Sequence, residues 1–163
     1  MNRVEKPRNR QPGTVLIVDD RLDDLQFTQG VVAAACPEFC IRSVQSGEEL
    51  IRYLKGEHEF ADRMDFPYPS LILLDLTMPG MHGFSVLLWL RNHPPYDVIP
   101  VVVLTVSGDV LVAQYAYEIG ARSFLTKPLK AKDFKETIGK LDDWLKQATY
   151  TGTCARGATG PRW

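Results

Sequence analysis

A chain of 163 residues is enough for one domain and short for two. Its 45% hydrophobic and 24% charged residues can build a core that needs no metal or disulfide, which excludes a disordered chain and a cysteine scaffold. The net charge of −1 is uneven: residues 1–13 carry +3, those after Trp144 another +3, and the middle −7, a sign that repels phosphate backbones and argues against nucleic-acid binding by the core.

Residues 1–13 are polar and basic without an apolar stretch, so they read as a flexible basic arm rather than a secretory signal. Val15–Val18 is then an apolar, β-branched run that stops at Asp19-Asp20, a first strand. Leu22, Leu25, Val32 and Ala35 follow at helical spacing, and Cys40–Val44 is a weaker second strand. A second helix leads to Gly56, and the stretch to Pro69 is long, charged and proline-punctuated, a length usually functional or mobile. Leu71–Leu74 repeats the first run and ends in Asp75, after which Met78-Pro79-Gly80 predicts a turn. Phe84, Leu87, Leu88 and Arg91 predict a helix after Gly83. Val101–Leu104 ends in Thr105, and Ala113, Ala116 and Ile119 predict a helix before Gly120. Arg122–Thr126 is a fifth strand, and Phe134, Ile138, Leu141 and Leu145 stripe a closing helix over Lys130–Leu145. A domain over 14–146 is expected, with 147–163 a disordered tail.

Continuous apolar strands of this kind are buried on both faces of a parallel sheet. Five of them alternating with five helices predict a flavodoxin-like, doubly wound α/β fold. No apolar run approaches the ~20 residues that span a bilayer, so no membrane association is expected. Cys36, Cys40 and Cys154 lack a second ligand pair and read as reduced thiols, consistent with a cytoplasmic protein. His58, His82 and His93 have no partners at metal or catalytic spacing and read as surface residues.

In an open parallel sheet the working site lies beyond the carboxyl ends of the strands. This sequence sends Asp19, Asp20, Asp75, Thr105 and Lys127 there. Three carboxylates held together repel one another and call for a cation, and a hard divalent ion such as Mg2+ suits one or two carboxylates, a carbonyl and waters. A lysine and a hydroxyl supply charge and a donor to the oxygens of a phosphoryl group. The set reads as a phosphoryl-accepting aspartate with its metal.

The runs VLIVDD, LILLDLTMPGMHG and VVVLT and the dipeptide Lys127-Pro128 resemble, in order and spacing, the receiver domain of two-component response regulators over residues 14–146. The resemblance implies that Asp75 accepts a phosphoryl group from a sensor histidine kinase, and that Asp19, Asp20, Asp75 and the backbone carbonyl of Thr77 hold Mg2+. It implies that Thr105 and Lys127 bind the phosphoryl oxygens, that Phe124 is the aromatic switch that follows Thr105, and that Lys127-Pro128 is cis. Thr77, Val106 and Ser107 stand where the family modulates rates. Val106 replaces a residue that is small in most receivers, and neither Thr77 nor Ser107 is the long acid or amide that best orients a hydrolytic water, so a persistent phosphoryl group is expected. Within the family the Gly56–Pro69 loop, the IPVVVLT strand and Trp144 are similar to the stand-alone regulators paired with bacterial phytochromes, the chemotaxis type being the alternative.

Rival readings are weaker at particular residues. A haloacid-dehalogenase-type phosphatase needs a second aspartate where Thr77 stands, so no enzyme activity is expected beyond the protein's own phosphoryl transfer and dephosphorylation. A flavin site needs a hydroxyl-rich phosphate cradle where Asp19-Asp20 would repel the phosphate. A degenerate receiver acting as a constitutive interaction module requires Val106 to block an otherwise intact site. With no output domain expected, signalling would pass through the receiver surface to an unknown downstream protein. A homodimer is also expected, through the face of the helix after Ser107, the strand carrying Phe124 and the last helix.

Overall fold

The computed structural model describes residues 13–106 and 108–151, the last ten as backbone alone. Strands β1 (Thr14–Val18), β2 (Cys40–Val44), β3 (Leu71–Asp75), β4 (Val101–Thr105) and β5 (Ser123–Thr126) alternate with helices α1 (Leu22–Ala35), α2 (Gly47–Lys55), α3 (Gly83–Arg91), α4 (Val110–Glu118) and α5 (Ala131–Thr151). All strands are parallel in one sheet of order β2-β1-β3-β4-β5. This is the doubly wound fold that the sequence predicts. Among the described residues no helix is long and apolar enough to cross a membrane.

The central strands β1, β3 and β4 are buried at every position, whereas edge strands β2 and β5 are only partly so. That difference is why their apolar runs are the weaker ones in the sequence. Alternate residues serve opposite layers. Val15, Ile17, Leu71, Leu73, Val102 and Leu104 pack with Leu25 and Val32 of α1 and Phe134 of α5. Leu16, Val18, Ile72, Leu74 and Val103 pack under Leu50, Tyr53 and Leu54 of α2, Val86, Leu87 and Leu90 of α3 and Ala116 of α4. Each such aliphatic contributes roughly 1.5–3 kcal/mol by leaving water, which lets the sheet carry a costly charged rim.

The long connection after α2 is folded against the core. Tyr53, Phe60 and Phe66 form an aromatic cluster with centroids 5.2–5.9 Å apart, and Tyr53 donates its hydroxyl to the carbonyl of Pro67 at 2.8 Å. Arg63 donates to the carbonyls of Tyr53 (2.8 Å), Leu54 (2.8 Å) and Phe66 (3.2 Å), so its guanidinium satisfies the end of α2. Gly56 turns the chain there at φ +68, and a Cβ on it would stand 2.5 Å from the Arg63 guanidinium. The loop therefore works as a structural cap.

At the other end, α5 continues to Thr151, five residues past the boundary at 146. Residues 146–151 contain no glycine or proline, so nothing local stops the helix before Gly152. Residues 1–12 of the expected arm over 1–13, and residues 152–163 of the expected tail with Cys154, lie outside the described residues. Lys127-Pro128 is cis, and so is Pro94-Pro95, which the sequence did not point to. His58, His82 and His93 are exposed.

Candidate functional site

Register assembles the site. Val18 pairs with Leu74, so Asp19 and Asp75 leave neighbouring strands together. Asp75 pairs with Leu104, which puts Thr105 one position further on, and Thr105 pairs with Thr126, immediately before Lys127. The backbone amide of Lys127 donates to the carbonyl of Thr105 at 2.8 Å, fixing the turn out of β5. The parallel sheet thereby gathers residues up to 108 positions apart along its carboxyl edge.

Asp19, Asp75 and Thr105 are buried, and the carboxylate oxygens of Asp19, Asp20 and Asp75 lie within 4.8 Å of one another. The Lys127 ammonium donates to Asp19 Oδ2 (2.5 Å), Asp75 Oδ2 (3.0 Å) and Asp24 Oδ2 (3.1 Å), one carboxylate for each of its three protons. The second oxygens of two of these acids take backbone amides: Asp19 Oδ1 accepts from Arg21 (3.0 Å) and Asp75 Oδ1 from Thr77 (2.9 Å). Burial pushes the Asp19 carboxyl above its ordinary range, with Lys127 opposing. Burial works against the charge of Lys127, but the bonds it donates to Asp19 and Asp75 prevail and hold it above the ordinary lysine range.

Asp20 is the exception. Its Oδ1 is buried and has no hydrogen-bond partner. An unpaired carboxylate oxygen is costly, and here it sits in an all-oxygen, anionic set already larger than one ammonium neutralises. That donor set fits a hard divalent cation of the magnesium class rather than a soft metal.

The loop after Asp75 is held from two sides. Glu48 of α2 accepts the Met81 amide at 3.2 Å, while Met78 is buried in the core. Gly83 opens α3 against this loop: a Cβ there would lie 2.6 Å from the Asp75 carbonyl. Only a glycine lets the helix come so close beneath the acid.

Phe124 is half-buried against the layer covered by α2, α3 and α4. Val106 is 73% exposed and Thr77 is exposed, while Ser107 lies outside the described residues. Asp24 is a member of the cluster that sequence reading misses. Its signal was available: it is an acid in the first turn of α1, the helix that starts just after Asp19-Asp20 at the end of β1.

A buried carboxylate, a fixed ammonium, a hydroxyl and a hard-cation donor set are together equipped for phosphoryl chemistry. Comparison with known proteins agrees. The family model "Response regulator receiver domain" matches residues 15–139. The chain is similar to response regulator Rcp1 of Synechocystis sp., 32% identical over 139 residues that cover 85% of this chain and 92% of Rcp1. A Mn2+-bound structure of Rcp1 superimposes with a TM-score of 0.65 at 30% identity, covering 93% of this chain and all of that one. Response regulator RPA3017, solved for its place in red light signaling of R. palustris, gives a TM-score of 0.70 at 32% identity over 93% of this chain and 99% of its own. The chain is also 28% identical to the cyclic di-GMP phosphodiesterase response regulator RpfG of Xanthomonas campestris pv. campestris, covering 78% of this chain and 31% of that protein.

Proposed function

The chain belongs to the response regulator receiver family, and from that premise we propose that Asp75 is its phosphoryl acceptor, serving a sensor histidine kinase in a phosphorylation-switched signalling step. A carboxylate oxygen of Asp75 forms a bond to phosphorus as the phosphorus–nitrogen bond of the kinase phosphohistidine breaks, and the departing imidazole nitrogen keeps the electron pair. Lys127 and Thr105 bind the oxygens of the transferred group. Asp19, Asp20, Asp75 and the Thr77 carbonyl would hold Mg2+, which supplies positive charge against those oxygens. The observation that carries the reading is the Lys127 ammonium seated on Asp19 and Asp75 beside the unpartnered Asp20 oxygen.

Asp75→Asn tests it, since it alters the nucleophile and keeps the shape. With acetyl phosphate and Mg2+, the wild type should take up one acid-labile phosphoryl group per chain and the variant none. Stoichiometric labelling of the variant would move the acceptor elsewhere.

Similarity to the cyanobacterial phytochrome response regulator RcpA and the bacteriophytochrome response regulator RtBRR, each 28% identical in a solved structure, supports a phytochrome-type kinase as the partner. Phosphorylation would draw Thr105 toward the acyl phosphate and let Phe124 turn inward, altering the α4–β5–α5 face. Exposed Tyr115, Arg122, Lys130 and Lys132 suit that face to a two-fold contact or to a downstream protein. Sedimentation with and without beryllofluoride reads this out, and an unchanged mass at tens of micromolar would remove the dimer. Thr77, Val106 and Ser107 would set the lifetime of the phosphoryl group, expected to be long, and decay within seconds would count against that role. The site and the absence of a spanning helix among the described residues suit a cytoplasmic setting.

A further inference from the structure

We propose that Asp24 is a positioning residue for phosphoryl transfer, which holds the Lys127 ammonium over Asp75 from the first turn of α1. The proposal rests on the reading of Asp75 as acceptor. Lys127 reaches the site on a flexible four-carbon stem, and three protons of one ammonium are shared among three carboxylates. Two of those three have other work. Asp75 receives the phosphoryl group, after which its oxygens no longer offer the lysine a full charge, and Asp19 stands in the metal donor set. Asp24 alone among them is absent from that set, so its bond to Lys127 at 3.1 Å is the one that the reaction leaves intact.

Its surroundings suit an anchor. The Asp24 side chain is 36% exposed at the rim, while that of Lys127 is 10% exposed beneath it, so the carboxylate covers the ammonium from the solvent side. Arg21, with its side chain 68% exposed, approaches Asp24 at 3.7 Å and adds the weak restraint of a surface pair. The bland alternative is that Asp24 merely favours the N-terminus of α1 as a first-turn acid. Asp23 supplies the control, since it sits in the same turn and carries the same charge on an exposed position, while Lys127 bonds to Asp19, Asp24 and Asp75.

The test uses the full chain with Asp24→Ala, Asp24→Glu and Asp23→Ala. Competitive acetylation with acetic anhydride, read by mass spectrometry without any phosphodonor, reports how tightly Lys127 is held relative to exposed Lys132. In Asp24→Ala the relative reactivity of Lys127 should rise at least about threefold, and in Asp23→Ala it should stay at the wild-type value. With acetyl phosphate and Mg2+, Asp24→Ala should lower the maximal phosphorylation rate about fivefold, leaving the half-saturating donor and metal concentrations unchanged. Asp24→Glu, which keeps the charge and the reach, should restore the rate to within about twofold of wild type. Should Asp24→Ala fail to fold, the near-isosteric Asp24→Asn carries both measurements, with smaller changes in the same directions. The proposal is overturned by an unchanged or faster rate in Asp24→Ala, or by equal effects of Asp23→Ala. A wild type that takes no label, with Lys127 reactivity still responding to Asp24, would refute the acceptor reading and leave Asp24 an anchor of the fold alone.

Discussion

Asp20→Asn should make the metal-free protein more stable while weakening its response to magnesium. The Asp20 Oδ1 is buried and unpartnered, and its carboxylate lies within 4.8 Å of those of Asp19 and Asp75. Asp19 and Asp75 share the Lys127 ammonium, and Asp24, its third partner, also has Arg21 at 3.7 Å, so Asp20 faces about one net negative charge. One such pair at 4.8 Å is worth about 3.5 kcal/mol at an effective dielectric of ~20. Water reaching the half-buried Asp20 cuts this to about 1–2 kcal/mol. An amide of the same shape removes that repulsion, so urea unfolding in EDTA should give the variant about 1–2 kcal/mol over wild type. Magnesium reverses the comparison. At ten times its own Kd the wild type gains about 1.4 kcal/mol, whereas a variant bound tenfold more weakly gains about 0.4 kcal/mol at the same concentration. A variant less stable than wild type in EDTA, or one with an undiminished magnesium gain, would refute the assignment of Asp20 as an uncompensated metal ligand.

Burial pushes the Tyr53 phenol up to about 12, so its contribution to stability is complete below pH 10 and is lost as pH rises through 12. Tyr53→Phe should cost about 1 kcal/mol at pH 8 through the lost bond to Pro67, and urea unfolding at pH 11 should find that difference gone, because only the wild type has then lost about 1.4 kcal/mol. Arg63→Ala removes the charged donors from three carbonyls and should cost about 2–4 kcal/mol, with hydrogen exchange accelerating over residues 57–70. A loss below about 0.5 kcal/mol would mean that the loop holds by its aromatic cluster alone.

The sequence by itself determined the elements and the composition of the rim. Runs such as Val15–Val18 and Val101–Leu104 announce buried parallel strands because burial on both faces leaves no room for alternation. Asp19, Asp20, Asp75, Thr105 and Lys127 were legible as one group because each directly follows or ends such a run, and a parallel sheet sends all those ends to one edge. The tertiary structure decided what those residues touch. It brought Asp24 to Lys127 across 103 positions, left one oxygen of Asp20 without a partner, and set Gly83 against the Asp75 carbonyl. It also turned the charged, proline-rich stretch after α2 from a candidate mobile loop into a cap built on Arg63. Local pattern encodes which face a residue presents and where an element ends. Which charges share one proton donor depends on distances between segments far apart in the chain, and the packing of the sheet against its helices fixes those distances.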